Sequence, residues 1–306
     1  MRTTFMLVKR NVKLFFKDKG TFFPSLITPV ILLVLYATFL AKVYKEAFMG
    51  SVKGALESGF AVENLDAIVN ATVGGQLLAS LLAVCCVTVA FCSNLIMIHD
   101  KVTGARKDLL ISPLKKSSLA ISYYLSSLFC TLIVTLVATA AGLAYIAATG
   151  WYLSFADVLL IVLDVVLLTT FGVALSSVVN VFLSTDAQAS AVGTIVSAGY
   201  GFICGAYMPI SNFGTGLRNV LGFLPGTYGT ALVKNHCLSG AFREMARQNF
   251  PPDVITGIKE SIDCNAFFFD TKVSDGAEYC VLIGSVLILI GVFVLINVLR
   301  KNKDNA

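Results

Sequence analysis

Charged residues are scarce in this chain of 306 residues. Asp, Glu, Lys and Arg make up 13% of it, hydrophobic residues make up 57%, and the mean hydropathy is +0.82. Soluble domains carry about 25% charged residues. The composition therefore excludes a soluble protein and indicates that most of the chain lies in lipid.

The sequence also lacks the groups that ATP hydrolysis and metal chemistry need. It contains no G-x-x-x-x-G-K-[ST] phosphate loop and no Gly-Lys pair. Its two histidines, His99 and His236, do not have metal-ligand spacing. We expect no catalytic site, no metal site and no cofactor bound by this chain. The net charge of +5 does not indicate a nucleic-acid partner, since basic residues gather beside membrane spans.

Lysine and arginine are absent from six apolar stretches. Each stretch is long enough to cross a hydrocarbon core of about 30 Å, and lipid requires each to be helical. The predicted spans are 22–41, 75–98, 119–147, 158–183, 187–209 and 277–299. Because we find no internal repeat and no soluble segment, we predict an all-α integral membrane fold in which residues 1–306 form a single transmembrane domain.

Fourteen of the 23 basic residues lie on one side of these six spans. They precede the first span at Lys9 and Arg10, occupy the loop 100–116, and follow the last span at Arg300 and Lys301. The other side has Lys42, Lys45 and Lys53 in a short loop and six more in the loop 210–276, which is long enough to be translocated regardless of its charge. The positive-inside rule then puts both termini in the cytoplasm of a multi-pass protein of the plasma membrane. A cleavable signal peptide is the competing interpretation of the N-terminus, but the apolar run is longer than such a peptide usually has.

Two segments outside the spans have patterns of their own. In residues 1–20, apolar side chains recur every three or four positions between basic ones, which predicts an amphipathic helix at the interface, in contact with membrane lipids. A merely basic juxtamembrane segment is the alternative. Residues 210–276 are predicted to be an external loop with short helices, where Cys237 and Cys264 could pair as a disulfide in an oxidising compartment.

The loop between spans two and three contains an apolar cluster among charged residues. Leu109, Leu110 and Ile111 form the cluster, and Pro113 ends it, as expected for a short cytoplasmic helix. An apolar cluster in a cytoplasmic loop requires another surface that shields it from water. Either the membrane or a protein partner could supply it.

This run resembles the loop after the second span in permease subunits of type 2 ATP-binding-cassette exporters. The matching positions are Asp100, Lys101, Gly104, Leu109, Leu110, Ser112 and Pro113, while Val102, Ala105 and Lys107 depart from the pattern and Asp108 places an acid one position late. The likeness continues in the basic N-terminal helix, the six spans, and the prolines Pro209 and Pro225 before the last span. The whole arrangement is similar to the daunorubicin-resistance-type exporters of that family.

The resemblance implies that 100–116 is a coupling loop docking on a separate ATP-binding-cassette ATPase subunit, which would hold ATP and Mg. The residues it assigns to this contact are Asp100, Lys101, Gly104, Arg106, Asp108, Leu109, Leu110 and Pro113. It also implies a second permease subunit, identical or different, and a bacterial origin.

The expected activity is export of an amphipathic or hydrophobic compound, such as a drug, an antimicrobial or a lipid-like molecule, by alternating access. Translocation of a lipid-linked glycan is an alternative in the same superfamily. A channel or lipid scramblase acting without ATP is an alternative from another class.

Small and polar residues recur at intervals of four within three spans, as helices packed in lipid require. In each span, packing within one bundle is one interpretation. For span five the resemblance adds a second, in which the ridge lines the dimer axis and the translocation path. The ridges are Gly193, Ser197, Gly201 and Gly205 in span five, Ser127, Thr131, Thr135 and Thr139 in span three, and Asp164, Leu168, Gly172, Ser176 and Asn180 in span four.

Asp164 is an acid well inside a predicted span, and such residues are functional candidates by default. It either makes a structural hydrogen bond, for which we expect a span-three hydroxyl as the partner, or contacts a polar cargo.

Overall fold

The computed structural model describes residues 2–57, 64–111, 114–269 and 271–299. These residues confirm the predicted all-α class, because the strands β1 (Phe267–Phe268) and β2 (Thr271–Lys272) form one short antiparallel hairpin beside the helices. The helices are α1 (Arg2–Lys17), α2 (Lys19–Leu35), α3 (Ala41–Glu57), α4 (Leu65–Ser93), α5 (Leu95–Val102), α6 (Ala105–Ile111), α7 (Lys116–Thr149), α8 (Phe155–Phe182), α9 (Asp186–Ile203), α10 (Thr215–Leu221), α11 (Pro225–Arg247), α12 (Pro252–Ser261) and α13 (Asp275–Leu299). A π-helical stretch, Tyr36–Leu40, joins α2 to α3, and a 3₁₀ turn, Ile210–Asn212, precedes α10.

Five helical segments of the described chain are long and apolar enough to cross a membrane. They are Lys19–Gly50, Leu65–Val102, Lys116–Thr149, Phe155–Phe182 and Asp275–Asn297. Each overlaps a predicted span, the first to the fourth and the sixth.

The fifth predicted span, 187–209, coincides with α9, which is not among those five segments. α9 has 18 residues, so it is about 27 Å long at about 1.5 Å per residue. It ends because Gly205 takes a left-handed φ of +74° and the amide of Ala206 donates back to the carbonyl of Gly201 at 2.8 Å. This closing turn is a Schellman motif, which stops the helix six residues before the predicted boundary.

The segment 210–276 contains α11, a helix of 23 residues that is longer and more deeply buried than the short external helices predicted there. A Cβ on Gly229 would lie 2.7 Å from the side chain of Leu168 in α8, and one on Gly240 would lie 2.5 Å from the carbonyl of Tyr152. α11 therefore runs from the middle of α8 to the connection between α7 and α8. The hydropathy of the sequence does not reveal α11, because polar residues alternate with its apolar ones.

The N-terminal helix predicted for residues 1–20 is present as α1. Its side chains Leu7 and Phe15 are buried, and Asn11 donates to the hydroxyl of Ser126 in α7 at 3.3 Å, whereas Phe5 is exposed. α1 thus packs on α7 with one face. Its exposed apolar residues remain for the lipid contact that the sequence predicts.

The centre of the bundle is α4. The backbone of α8 packs directly against the backbone of α4 at Gly172. A Cβ on Gly172 would lie 2.5 Å from the carbonyl oxygen of Cys86 and 3.0 Å from the Cα of Val87. Small residues allow this close packing in membranes.

We predict that Gly172→Ala destabilises the protein by about 1–3 kcal/mol, because the new methyl group must push the α4 backbone away. Gly284→Ala in α13 is the matched control, since among the described residues nothing lies within 4 Å of its Cβ position. That control should be neutral or slightly stabilising, as alanine is the better helix former. Thermal unfolding of both variants in detergent measures the difference, and equal melting temperatures would contradict the assigned contact.

Candidate functional site

The predicted coupling loop forms two short helices at one end of the bundle. α5 follows α4 after Asn94, whose side-chain amide donates to the hydroxyls of Ser176 and Ser177 in α8 at 3.1 and 2.9 Å. Gly104 then takes a left-handed φ of +83°, which turns the chain into α6. A side chain at this position would be strained, so glycine is required for the sharp turn.

Asp100 is buried and holds three helices together. Arg10 of α1 donates to its two carboxylate oxygens at 2.7 and 3.0 Å, and the hydroxyl of Tyr123 in α7 donates at 2.7 Å. The hydrogen bond to Asp100 raises the pKa of Arg10 above its usual value, against the opposing effect of burial. Bidentate arginine–carboxylate pairs are strong and fix geometry.

Lys101 ties the same segment to the end of α8. Its ammonium group donates to the carbonyl oxygens of Asn180, Val181 and Leu183 at 3.1, 3.1 and 3.0 Å. These carbonyls lie at the negative end of the helix, where a cation is favourable. Asp100 and Lys101, both predicted to face the ATPase, thus make contacts within this chain.

The apolar cluster of α6 divides between the bundle and the surface. Leu109 and Leu110 are half-buried and pack on a cluster that includes Leu7 and Met97. Ile111 is 84% exposed. Lys107 and Asp108 are exposed as well, Arg106 is half-buried, and Pro113 lies outside the described residues.

Asp164 of α8 joins two other helices near the opposite end of the bundle. Its side chain is buried, the Nδ1 atom of His236 in α11 lies 2.5 Å from Oδ2, and the hydroxyl of Tyr279 in α13 donates to Oδ1 at 2.5 Å. The expectation of a span-three hydroxyl as its partner is wrong. α11 fills the space beside α8, and the sequence did not show that this helix enters the bundle.

The hydroxyls of span three have other partners. Thr131 lies 3.0 Å from the hydroxyl of Ser93, and Thr135 lies 3.4 Å from that of Thr169. Thr139 donates to the carbonyl of Thr135 at 2.8 Å. The stripe therefore packs α7 on α4 and α8.

Two further cations hold α11 in place. Arg243 pairs with Asp157 at the start of α8, with Nη1 2.9 Å from Oδ1. Lys234 is buried and donates to the carbonyls of Gly205 and Ile262 at 2.8 and 2.9 Å. These carbonyls follow the ends of α9 and α12, so one ammonium group fixes two helix ends against α11.

The ridge of span five divides into two parts. Cβ atoms on Gly201 and Gly205 would meet Tyr207 at 2.4 Å and Ile210 at 2.9 Å, so both glycines pack on the turn that follows α9. Gly193 and Ser197 are half-buried, and among the described residues nothing lies within 4 Å of a Cβ position on Gly193. The open part of α9 is therefore around Gly193.

The predicted disulfide is not formed in the structure. Cys237 and Cys264 are both free and buried. Cys264 is buried among apolar residues of α4, α11 and α12, and Cys237 is buried in a separate cluster with residues of α4 and α8, so both are accounted for as small core side chains. Within the described ranges, no group of three or more His, Cys, Asp and Glu residues could hold a metal ion.

Sequence reasoning missed Arg10, Tyr123, His236, Arg243 and Tyr279 as partners of buried charges. The sequence does indicate that each buried acid needs a cation or a hydrogen-bond donor as its partner. A single sequence does not show which cation or donor lies close to it in the fold.

Comparison with known protein families gives one match across most of the chain. The family described as ABC-2 family transporter protein matches residues 63–299. No curated protein matches the chain.

We predict that Asp164→Ala costs about 3 kcal/mol of stability, at the lower end of the range for breaking a buried pair, since it leaves the half-buried side chains of His236 and Tyr279 without their shared acceptor. Tyr279→Phe should cost less, about 1.5–3 kcal/mol, the usual range for a hydrogen bond to a charged group. The double variant Asp164→Ala/His236→Ala should lose less than the sum of its single variants. Thermal unfolding in detergent gives these values, and strictly additive losses would show that the two side chains do not interact.

Proposed function

The chain belongs to the ABC-2 family of transporter proteins, and from this premise we propose that it is the permease subunit of an ATP-driven exporter. Membership makes it a membrane component of a transporter and implies an ATP-binding-cassette ATPase as its general partner. The chain supplies the path through the membrane, and the ATPase supplies the energy.

The observation that carries this proposal is the anchoring of α5 and α6. Asp100 ties α5 to α1 and α7, and Lys101 ties it to the end of α8. A displacement of this segment therefore acts on three long helices at once, because rigid packed elements with charged contacts transmit movement. This is the property that a coupling segment needs.

The surface that we assign to the ATPase is the outward face of α6. Ile111 supplies an exposed apolar side chain, and Lys107 and Asp108 supply a charged rim of mixed sign. An apolar centre inside a polar rim is the usual composition of a docking site. Leu109 and Leu110 of the same helix pack on the bundle and so hold α6 in place.

The cargo of the proposed exporter is an amphipathic or hydrophobic compound, and transport proceeds outward by alternating access. The apolar character of the bundle supports such a cargo. The contact of Asp164 with α11 and α13 offers a polar joint that a change between two states could open. In this version Asp164→Asn would alter cargo preference.

Two such permeases form the complete path in this proposal. The open surface of α9 around Gly193 is the part of the fifth predicted span that a second subunit could cover. The basic residues before α2 and around α6 support a plasma-membrane protein with both termini in the cytoplasm.

We predict that Ile111→Asp weakens co-purification of the ATPase by at least about 30-fold, on the order of 2 kcal/mol, the cost typical of a central interface residue. Export of an amphipathic dye should fall with it. Membrane insertion should stay unchanged, because the side chain is 84% exposed. Leu109→Asp is less informative, since it also disturbs the contact with α1.

Ile111→Leu is the matched control and should retain both association and export. Unimpaired ATPase binding by Ile111→Asp would contradict the assigned docking face. Dye movement that continues without any ATPase would instead favour a channel or a scramblase. Transport of a lipid-linked glycan but not of the dye would favour the glycan translocator.

A further inference from the structure

A cavity of about 610 Å³ opens between the first part of α7 and the last part of α13. Its inner wall is apolar and includes Ile121 of α7 and Phe293 and Val294 of α13. Ile121 and Val294 are 46% and 45% exposed, so the cavity faces the surroundings of the bundle. Volumes of 300–1,000 Å³ are typical of ligand sites.

The mouth of this cavity is basic. Lys115 and Lys116 line it at the start of α7, next to Ser117. No Asp or Glu is among the described residues that line the cavity. The site therefore combines a positive end with an apolar body, which matches a molecule with an anionic head and a hydrocarbon tail.

An aromatic wall joins the basic mouth of the cavity to its apolar body. The ring of Tyr124 lines this wall and packs on Phe293 with the centroids 6.4 Å apart. Tyr124 lies about 12 Å along the helix from Lys116, so a chain that starts at the lysines would pass over the ring before it reached Val294. The hydroxyl oxygen of Tyr124 is buried and is therefore out of reach of a molecule in the cavity.

We propose that this cavity binds a phospholipid with an anionic headgroup. The phosphate lies against Lys115 and Lys116, and an acyl chain covers Ile121 and Val294. Basic pockets between helices at the membrane interface recognise anionic headgroups in this way. Lys115 and Lys116 end the loop 100–116, but the site uses none of the α6 residues that we assign to the ATPase, so its failure would leave the proposed export function standing.

Charge argues against the chain's own C-terminus as the occupant. The sequence after α13 begins Arg300-Lys301-Asn302-Lys303, which has the same sign of charge as the mouth of the cavity. A lipid has the opposite sign and is present at high concentration wherever the protein resides.

The test is native mass spectrometry of the full-length protein with added dioleoyl phosphatidylglycerol or dioleoyl phosphatidylcholine. The wild type should retain the phosphatidylglycerol preferentially. Lys115→Gln/Lys116→Gln should reduce this preference at least about tenfold, because each lysine contributes to attraction of the anionic headgroup. Val294→Trp should reduce retention of the lipid by filling the apolar part.

Lys42→Gln/Lys272→Gln is the matched control, since it removes the same charge from exposed positions outside both the cavity and the interfacial helix α1. It should change the preference by less than about twofold. Equal effects of the two double variants would show attraction by the general basic surface and would overturn the site. Retention of phosphatidylcholine at the same level as phosphatidylglycerol, or full binding in Val294→Trp, would overturn it too.

Discussion

The structure depends on one constraint, which is that every charge placed inside an apolar bundle must have a partner. Asp100, Asp157 and Asp164 each receive a cation or a hydroxyl from another helix, and Lys101 and Lys234 each donate to carbonyls at helix ends. Removal of one member leaves the other without compensation, which costs far more than the pair contributes. These contacts therefore fix which helices adjoin. The pairs of Asp157 and Asp164 fasten α11 to α8, and that of Asp100 fastens α1 and α7 to α5.

The same contacts give the bundle two different ends. At the end of α5 and α6, Arg10 and Lys101 make a rigid joint beneath a small exposed face, so force applied there reaches α1, α7 and α8 together. At the end where α11 leaves the bundle, His236 and Tyr279 converge on Asp164 through hydrogen bonds that join three helices. The packed glycine contact between α4 and α8 lies between these two groups of contacts.

Much of the architecture follows from the sequence, because lipid leaves few options. Helices such as α4 and α13 contain long apolar runs, and a helix satisfies the backbone of such a run within a membrane. α11 was not predictable in this way, since Lys234, His236 and Arg243 lower its hydropathy and become acceptable only with partners from distant segments. For the same reason, the sequence showed Asp164 as an acid inside a span but did not show its partners. In the loop 100–116 the sequence predicted a short helix with an apolar cluster, whereas only the fold shows that Ile111 is exposed and that Lys101 donates to carbonyls of α8.

We propose that this chain moves a compound only when an ATPase drives it. Inside-out vesicles that contain the chain and its ATPase partner test this proposal, with an amphipathic fluorescent dye as the cargo. Dye should accumulate in the vesicles on addition of ATP, and accumulation should stop when the phosphate-loop lysine of the ATPase is replaced. Equal dye movement with the inactive ATPase, or without ATP, would show that the chain does not depend on an ATPase.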